Sequence, residues 1–310
     1  MYHRFNESKY PSTNIQLDVF KDHLKIIEKE GIKFIHPKEL KLSISQQKNE
    51  RKILLTVDDG LLSFYENAWP ILKKKKIPFI LFVSTREVGS FNYMNWDQIR
   101  EISQSQLAEI GNHSHSHEYL VNESSEVIKK DILGSIKIFK EKLGKNSEFF
   151  SYPFGEYSLQ FKRIIKELGF KYAFGQHSGV IDETKDVLEL PRFPINEKYG
   201  EIERFKTLIK TLPFKYKKIF PEEKYLLQSK NPPEVKIEFF DNISNLNQIT
   251  CFSNEGDKWR NSIINFKEKN ILEIKITEKF VGERGRINCS LRETGNFWRW
   301  LGIQFVVGEN

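Results

Sequence analysis

Three histidines at alternate positions stand in the run Gly111-Asn112-His113-Ser114-His115-Ser116-His117. Two adjacent carboxylates, Asp58 and Asp59, follow the apolar run Ile53-Leu54-Leu55-Thr56-Val57. A strand that runs into two carboxylates and Gly60 puts like charges at the end of a buried element. That costs free energy unless a cation or a shared proton offsets it. A metal ion answers the problem; the plain alternative is an Asp pair capping the helix expected to begin near Leu61. His113 and His117 are four residues apart, so one helical turn would present both on one face. With one aspartate they would form a facial His-His-Asp site that leaves positions open for water and substrate. His115 would then face away. The bland reading is a polar loop with incidental histidines.

Two further segments carry candidates. Phe149-Phe150-Ser151-Tyr152-Pro153-Phe154-Gly155 reads as a strand ending in an aromatic-proline-glycine turn. In Leu190-Pro191-Arg192-Phe193-Pro194 an arginine flanked by prolines either neutralises a buried carboxylate or is simply exposed. His177 precedes it in Gly175-Gln176-His177-Ser178-Gly179.

The elements that must position these residues alternate from about Leu17 to about Lys210. Helical patterns such as Asp18 to Glu30, stopped by Gly31, and Ser124 to Leu143, stopped by Gly144, separate short apolar runs. The runs are Ile53 to Val57, Phe79 to Val83, Phe149 to Ser151 and Tyr172 to Phe174. Strands alternating with helices imply parallel pairing through crossovers, hence an α/β sheet or a (β/α) barrel with its site just past the strand ends. Past Phe214, the lysines and prolines of 215–221 and 231–233 read as a connection. Beyond it, Val235 to Phe239, Ile271 to Ile276 and Ile303 to Val306 alternate with period two, which predicts antiparallel strands of a small β-sandwich. Trp298 and Trp300 lie two apart on one strand face there. They are either a sugar-stacking platform or half of the sandwich core.

The chain has 310 residues, of which 39% are hydrophobic, 13% aromatic and 29% charged. That is room for about two domains, and it excludes collagen-like, low-complexity and wholly disordered classes. No apolar run approaches the roughly 18 residues of a membrane span. A net charge of +7 permits an anionic partner, but the lysines are dispersed and no nucleic-acid motif is present, so nucleic acid is not an expected partner. Cys251 and Cys289 lack metal-ligand spacing and are either core thiols or one disulfide. Met1-Tyr2-His3-Arg4-Phe5 holds no export signal, so the chain as written reads as cytoplasmic. A natural start upstream would make it exported or periplasmic.

The ordered set Asp58-Asp59-Gly60, His113-Ser114-x-x-His117 and Tyr152-Pro153-Phe154-Gly155 resembles the polysaccharide deacetylases, also called the NodB-homology or carbohydrate esterase family 4 domain. The likeness runs from Met1 to about Ile195. Tyr2-His3-Arg4-Phe5, Tyr10-Pro11-Ser12-Thr13 and Met94-Asn95-Trp96-Asp97 are similar to the branch that deacetylates poly-N-acetylglucosamine-like exopolysaccharides. The expected fold is α/β: a distorted (β/α) barrel of the polysaccharide deacetylase type in residues 1–212, a linker in 213–233 and a small all-β sandwich in 234–310.

The resemblance implies Asp58 as general base and Asp59, His113 and His117 as ligands of a divalent metal ion, zinc foremost, with nickel, cobalt or iron as alternatives. It implies the backbone N–H of Phe154 as an oxyanion donor, His177 as general acid, and Tyr152, Pro153 and Trp96 as substrate contacts. The family's Arg-x-Pro-Tyr third motif carries an arginine that holds the catalytic aspartate. Ser151 and Tyr152 stand there instead, and Arg192 is expected to take over. The setting of His177 also departs from the family's Leu-x-His. A strand normally precedes the Tyr-His-Arg-Phe segment, and Met1 leaves no room for it. The activity implied is hydrolysis of the acetamide of N-acetylated hexosamine units in a glycan. The alternatives are O-acetyl esters or small cyclic amides on the same fold, or a catalytically silent glycan-binding protein.

Overall fold

The computed structural model describes residues 1–46, 50–241, 243–256 and 258–308. Five parallel strands lie side by side in chain order: β1 (Leu55–Val57), β2 (Phe79–Val83), β3 (Ala108–Asn112), β4 (Phe149–Ser151) and β5 (Tyr172–Phe174). Every residue of β2 is buried, as a central parallel strand covered on both faces requires. The crossovers carry the helices Trp69–Lys75, Trp96–Gln104, Ser125–Leu143 and Leu159–Glu167. The longest starts where the Ser124 side chain accepts the Val127 N–H and stops at Gly144, whose φ of 74° suits a residue without Cβ.

The sheet curls, and short backbone pairings extend it at both edges. Tyr2 bridges to Val57 beside β1, and Leu190 bridges to Phe174 beside β5. The chain from Leu190 then runs back to the first edge, where the Ile195 N–H donates to the Met1 carbonyl at 3.0 Å. Segment 190–195 thus closes a distorted barrel whose regular part is a five-stranded half. Tyr2 is the residue paired at the edge beside β1.

The C-terminal region is a two-sheet sandwich. One sheet has the order Thr211–Pro213, Trp298–Val307, Arg284–Arg292, Thr250–Ser253, Arg260–Asn261, with Tyr225–Leu226 also paired to Trp298–Val307. The other has the order Tyr216–Phe220, Val235–Phe239, Ile271–Lys275, Ile263–Glu268. Between them Ile237, Phe239, Leu272, Ile287, Leu291 and Phe305 form the core. Cys251 and Cys289 sit directly opposite on neighbouring strands and form a disulfide.

Segment 213–233, expected as a linker, contributes strands to this sandwich. Tyr216–Phe220 is an edge strand with Lys217 and Lys218 exposed, and an edge tolerates lysine where a sheet centre does not. Trp300 serves neither of its expected purposes. Its ring meets Phe193 of the barrel edge-on at 6.1 Å, and its indole N–H donates to Asn288 at 3.1 Å. It packs in the seam between barrel and sandwich. The same strand reaches the barrel at Leu301, bridged to Gly179, and at Gly302, whose N–H donates to the Ser178 carbonyl at 2.6 Å. A Cβ at 302 would stand 2.5 Å from that oxygen, so only glycine fits. Among the described residues no helix is long and apolar enough to cross a membrane.

Candidate active site

The chain reverses immediately after β1. Asp59 and Gly60 both adopt left-handed backbone, with φ of 77° and 74°, a region that aspartate visits more readily than most side chains. The reversal separates the neighbouring carboxylates, sending Asp58 toward Arg192 and Asp59 toward the histidines.

Asp58 is wholly buried. Arg192 donates from Nη1 to Oδ1 at 2.7 Å and from Nη2 to Oδ2 at 2.8 Å, a bidentate clamp. The Ser151 hydroxyl accepts from Arg192 Nη2 at 2.9 Å and donates to Asp58 Oδ2 at 3.1 Å. Arg192 is fixed in turn by donation from Nε to the Gly175 carbonyl at 2.9 Å. Burial pushes the Asp58 carboxyl up, but Arg192, then His113 and His3, outweigh it and hold the group below its ordinary range. The end of β4 thus supplies a hydroxyl where the family carries an arginine, and the guanidinium arrives from segment 190–195.

The histidine segment is a loop, and the helical turn expected of it does not form. Ser114 and His117 have φ of 69° and 55°, which breaks the helical path. Three side chains hold the loop. Asn112 accepts the Ser114 N–H at 2.9 Å, and the Ser114 hydroxyl accepts the His117 N–H at 3.0 Å. Asp131 takes the N–H groups of His115 and Ser116 at 2.8 and 3.0 Å. His115 lies apart from the other two rings, its Nδ1 2.8 Å from the Thr85 hydroxyl.

His113 Nδ1 lies 2.7 Å from the Ser151 carbonyl. A carbonyl can only accept, so Nδ1 carries the proton and Nε2 presents a lone pair. That Nε2 is 3.2 Å from His117 Nε2, and Asp59 Oδ1 is 3.4 and 3.5 Å from the two nitrogens. The three atoms lie within 4.8 Å of one another. A carboxylate and two imidazole nitrogens facing one point repel each other unless a cation sits between them. Their spacings are those of neighbouring ligands around one ion with bonds of about 2.0–2.2 Å. Asp59, His113 and His117 therefore fit a divalent metal ion. Burial pushes His113 down, yet Asp59 and Asp58 raise it above its ordinary value, whereas burial and then His113 lower His117 to about 4.

The other expected residues are placed less uniformly. Phe154 borders the ligands, its ring 4.7 Å from the His117 ring and stacked on Tyr119 at 4.1 Å. Pro153 is buried in the same turn. Tyr152 cannot contact substrate through its side chain. It is wholly buried among Phe150, Tyr157 and Phe161, and its hydroxyl donates to the Leu188 carbonyl at 2.9 Å. Trp96 packs into the barrel core against Phe139. His177 belongs to the seam: the charges acting on it are Lys224, Lys185, Arg192 and Lys162, and burial first, then these cations, push it down to about 3.

His3 was not singled out from the sequence as a site residue. It follows the Tyr2–Val57 bridge and so stands beside Asp58 at the same sheet end. Burial lowers its imidazole, and Asp59 and Asp58 are the charges that pull it back up. The only signal was the Tyr-His-Arg-Phe segment, which by itself says nothing of a pairing with β1. Asp131 was also missed, because its partners are backbone groups and leave no motif.

Residues 45–173 match the family model described as polysaccharide deacetylase. The poly-beta-1,6-N-acetyl-D-glucosamine N-deacetylase of Staphylococcus aureus (strain N315) is 28% identical over 208 residues, 62% of this chain and 72% of that protein. IcaB from Ammonifex degensii superimposes with a TM-score of 0.61 at 26% identity, covering 67% of this chain and 94% of that one. The deacetylase PplD of Streptococcus pyogenes does so with a TM-score of 0.58 at 25% identity, covering 64% and 91%. With the curled parallel sheet, the Asp-Asp-Gly turn and the His-Ser-x-x-His loop in place, residues 45–173 are similar to a polysaccharide deacetylase domain in sequence and the barrel is similar to IcaB in fold.

Proposed function

We propose that the chain is a hydrolase that removes N-acetyl groups from N-acetylated hexosamine units of a glycan. The observation that carries the reading is Asp58: a buried carboxylate kept unprotonated by Arg192 and Ser151, with Asp59, His113 and His117 converging beside it. Asp59, His113 and His117 would hold a divalent ion, zinc before nickel, cobalt or iron, which would supply acidification of a water and polarisation of the acetyl carbonyl. Asp58 takes the proton of the attacking water as general base. Arg192 and Ser151 fix its oxygens so that it need not reorient. The backbone N–H of Phe154 donates to the carbonyl oxygen as that oxygen gains charge. The proton that Asp58 takes from the water is available to return to the departing amine, because burial lowers both His3 and His177 and keeps them neutral.

The glycan class is supported by the relative named for poly-beta-1,6-N-acetyl-D-glucosamine. Arg192 clamps Asp58 although the third-motif arginine is missing, which favours a working base over a catalytically silent binding protein.

The test is acetate release from N-acetylglucosamine oligomers by protein supplied with a divalent metal, with Asp58→Asn beside it. Release that falls about 10²–10⁴-fold in the variant supports the reading. Release from O-acetylated substrates alone would move the activity to esters, and no release from either would overturn it.

A further inference from the structure

Resting on that reading, we propose that the C-terminal sandwich is part of the deacetylase site, with Arg284 as the positioning residue that holds the Tyr152–Glu156 turn in its working shape. Phe154 and Gly155 are consecutive left-handed residues, with φ of 57° and 72°. A non-glycine residue in that region persists only where its surroundings hold it. Gly155 is confined as well, since a Cβ there would stand 2.3 Å from Gln176.

The surroundings come largely from the sandwich. The Arg284 guanidinium hydrogen-bonds from Nε to the carboxylate of Glu156, a residue 2% exposed. Its central carbon lies 5.8 Å from the centre of the Phe154 ring. Gln304, also buried, donates to the Gly155 carbonyl at 3.5 Å, and Arg286 Nε donates to Gln304 at 3.3 Å. Glu283 of the sandwich is among the charged groups near the Tyr119 hydroxyl, and the Tyr119 ring stacks on Phe154 at 4.1 Å. Glu283 is pinned by its own carbonyl, which accepts the Val307 N–H at 2.8 Å.

The contacts of Arg284 with Glu156 and Phe154 and of Gln304 with Gly155 cross the seam and end on the turn that borders His117 and presents the Phe154 N–H, while Arg286 and Val307 brace them from within the sandwich. Arg284 reaches neither the metal ligands nor Asp58. Its effect is therefore on the placement of an oxyanion donor and of the Tyr119–Phe154 ring pair, which forms the rim on that side.

The experiment compares wild type, Arg284→Ala and Arg284→Lys by amide hydrogen exchange and steady-state acetate release. In Arg284→Ala, exchange over 153–156 is expected to rise about tenfold while strand 287–291 keeps its protection. kcat should fall about tenfold with KM and metal affinity little changed, and Arg284→Lys should restore most of it. Unchanged exchange over 153–156, or unchanged kcat, in a folded Arg284→Ala protein would overturn the proposal. Should that variant also expose 287–291, Arg284→Gln combined with Glu156→Gln leaves no buried charge unpaired and is judged by the same criteria. If wild type releases no acetate, the functional reading fails, and the exchange comparison still decides whether Arg284 holds the turn.

Discussion

One arginine–carboxylate pair with a buried carboxylate stands at the barrel mouth and another at the seam, and their carboxyl groups respond in opposite directions. At the mouth, Asp58 receives two guanidinium nitrogens and a serine hydroxyl, and its carboxyl sits below the ordinary value. At the seam, Glu156 receives a single Arg284 nitrogen, and burial prevails over that attraction to hold its carboxyl above the ordinary value. The lesson is that burial and an arginine partner do not fix the state of a carboxylate. The surrounding charges do: His113 and His3 add to Arg192 beside Asp58, whereas Glu283 opposes Arg284 beside Glu156. The mouth needs an ionised base; the seam needs only a tie.

The contrast can be broken by removing each arginine. Arg192→Ala leaves Asp58 buried with a charge it cannot shed easily, so unfolding free energy should drop by about 3–5 kcal/mol and acetate release should vanish. Denaturant titration and turnover measure both, and a loss no larger than that of Arg284→Ala would equate the two pairs.

Next in size is the disulfide. Cys251→Ala with Cys289→Ala opens a link between residues 38 apart and should weaken the sandwich by about 3–4 kcal/mol, with metal affinity of the mouth unchanged by calorimetry. Arg284→Ala should cost less, about 1–3 kcal/mol, because Glu156 can take up a proton and become neutral.

At the mouth, Asp131→Ala frees the N–H groups of His115 and Ser116 and should weaken divalent-ion binding about tenfold, with Asp58 untouched.

The smallest effect is pH-dependent. A carboxyl raised in the fold binds more proton there than in the unfolded chain, so its share of stability is full below about 4.5 and is lost as pH rises past it. Wild type should therefore lose stability relative to Glu156→Gln on going from pH about 4.5 upward. A gain over that range would mean that Arg284 lowers Glu156 as Arg192 lowers Asp58.

Much of the mouth was legible because its residues directly follow short apolar runs. Asp59, His113 and His117 are the three that converge, and the proline-flanked Arg192 is the arginine that reaches Asp58. The spacing of the histidines was misleading in one respect. Four residues span a helical turn, and they equally span a loop folded by two left-handed residues, Ser114 and His117. Tyr152 was read as a substrate contact from its place in a turn. Its burial depends on Leu188 supplying a carbonyl to its hydroxyl, a partner far away in sequence. Trp300 and the strands at 211–226 share that cause: Trp300 meets Phe193 across the seam, and the strands pair with segments far away in sequence, so no local pattern encodes either placement. His3 was invisible as a neighbour of Asp58 because one backbone bridge places it.

The two ties also bear on how the protein is made. Arg192 and Asp58 are 134 residues apart, and Arg284 and Glu156 are 128 apart, whereas the helices close over a few residues. Contacts of such span form late, since the long loops between them must be ordered first. During refolding, helical signal should thus return well before hydrolytic competence. The interval between the two would time the closing of barrel and seam.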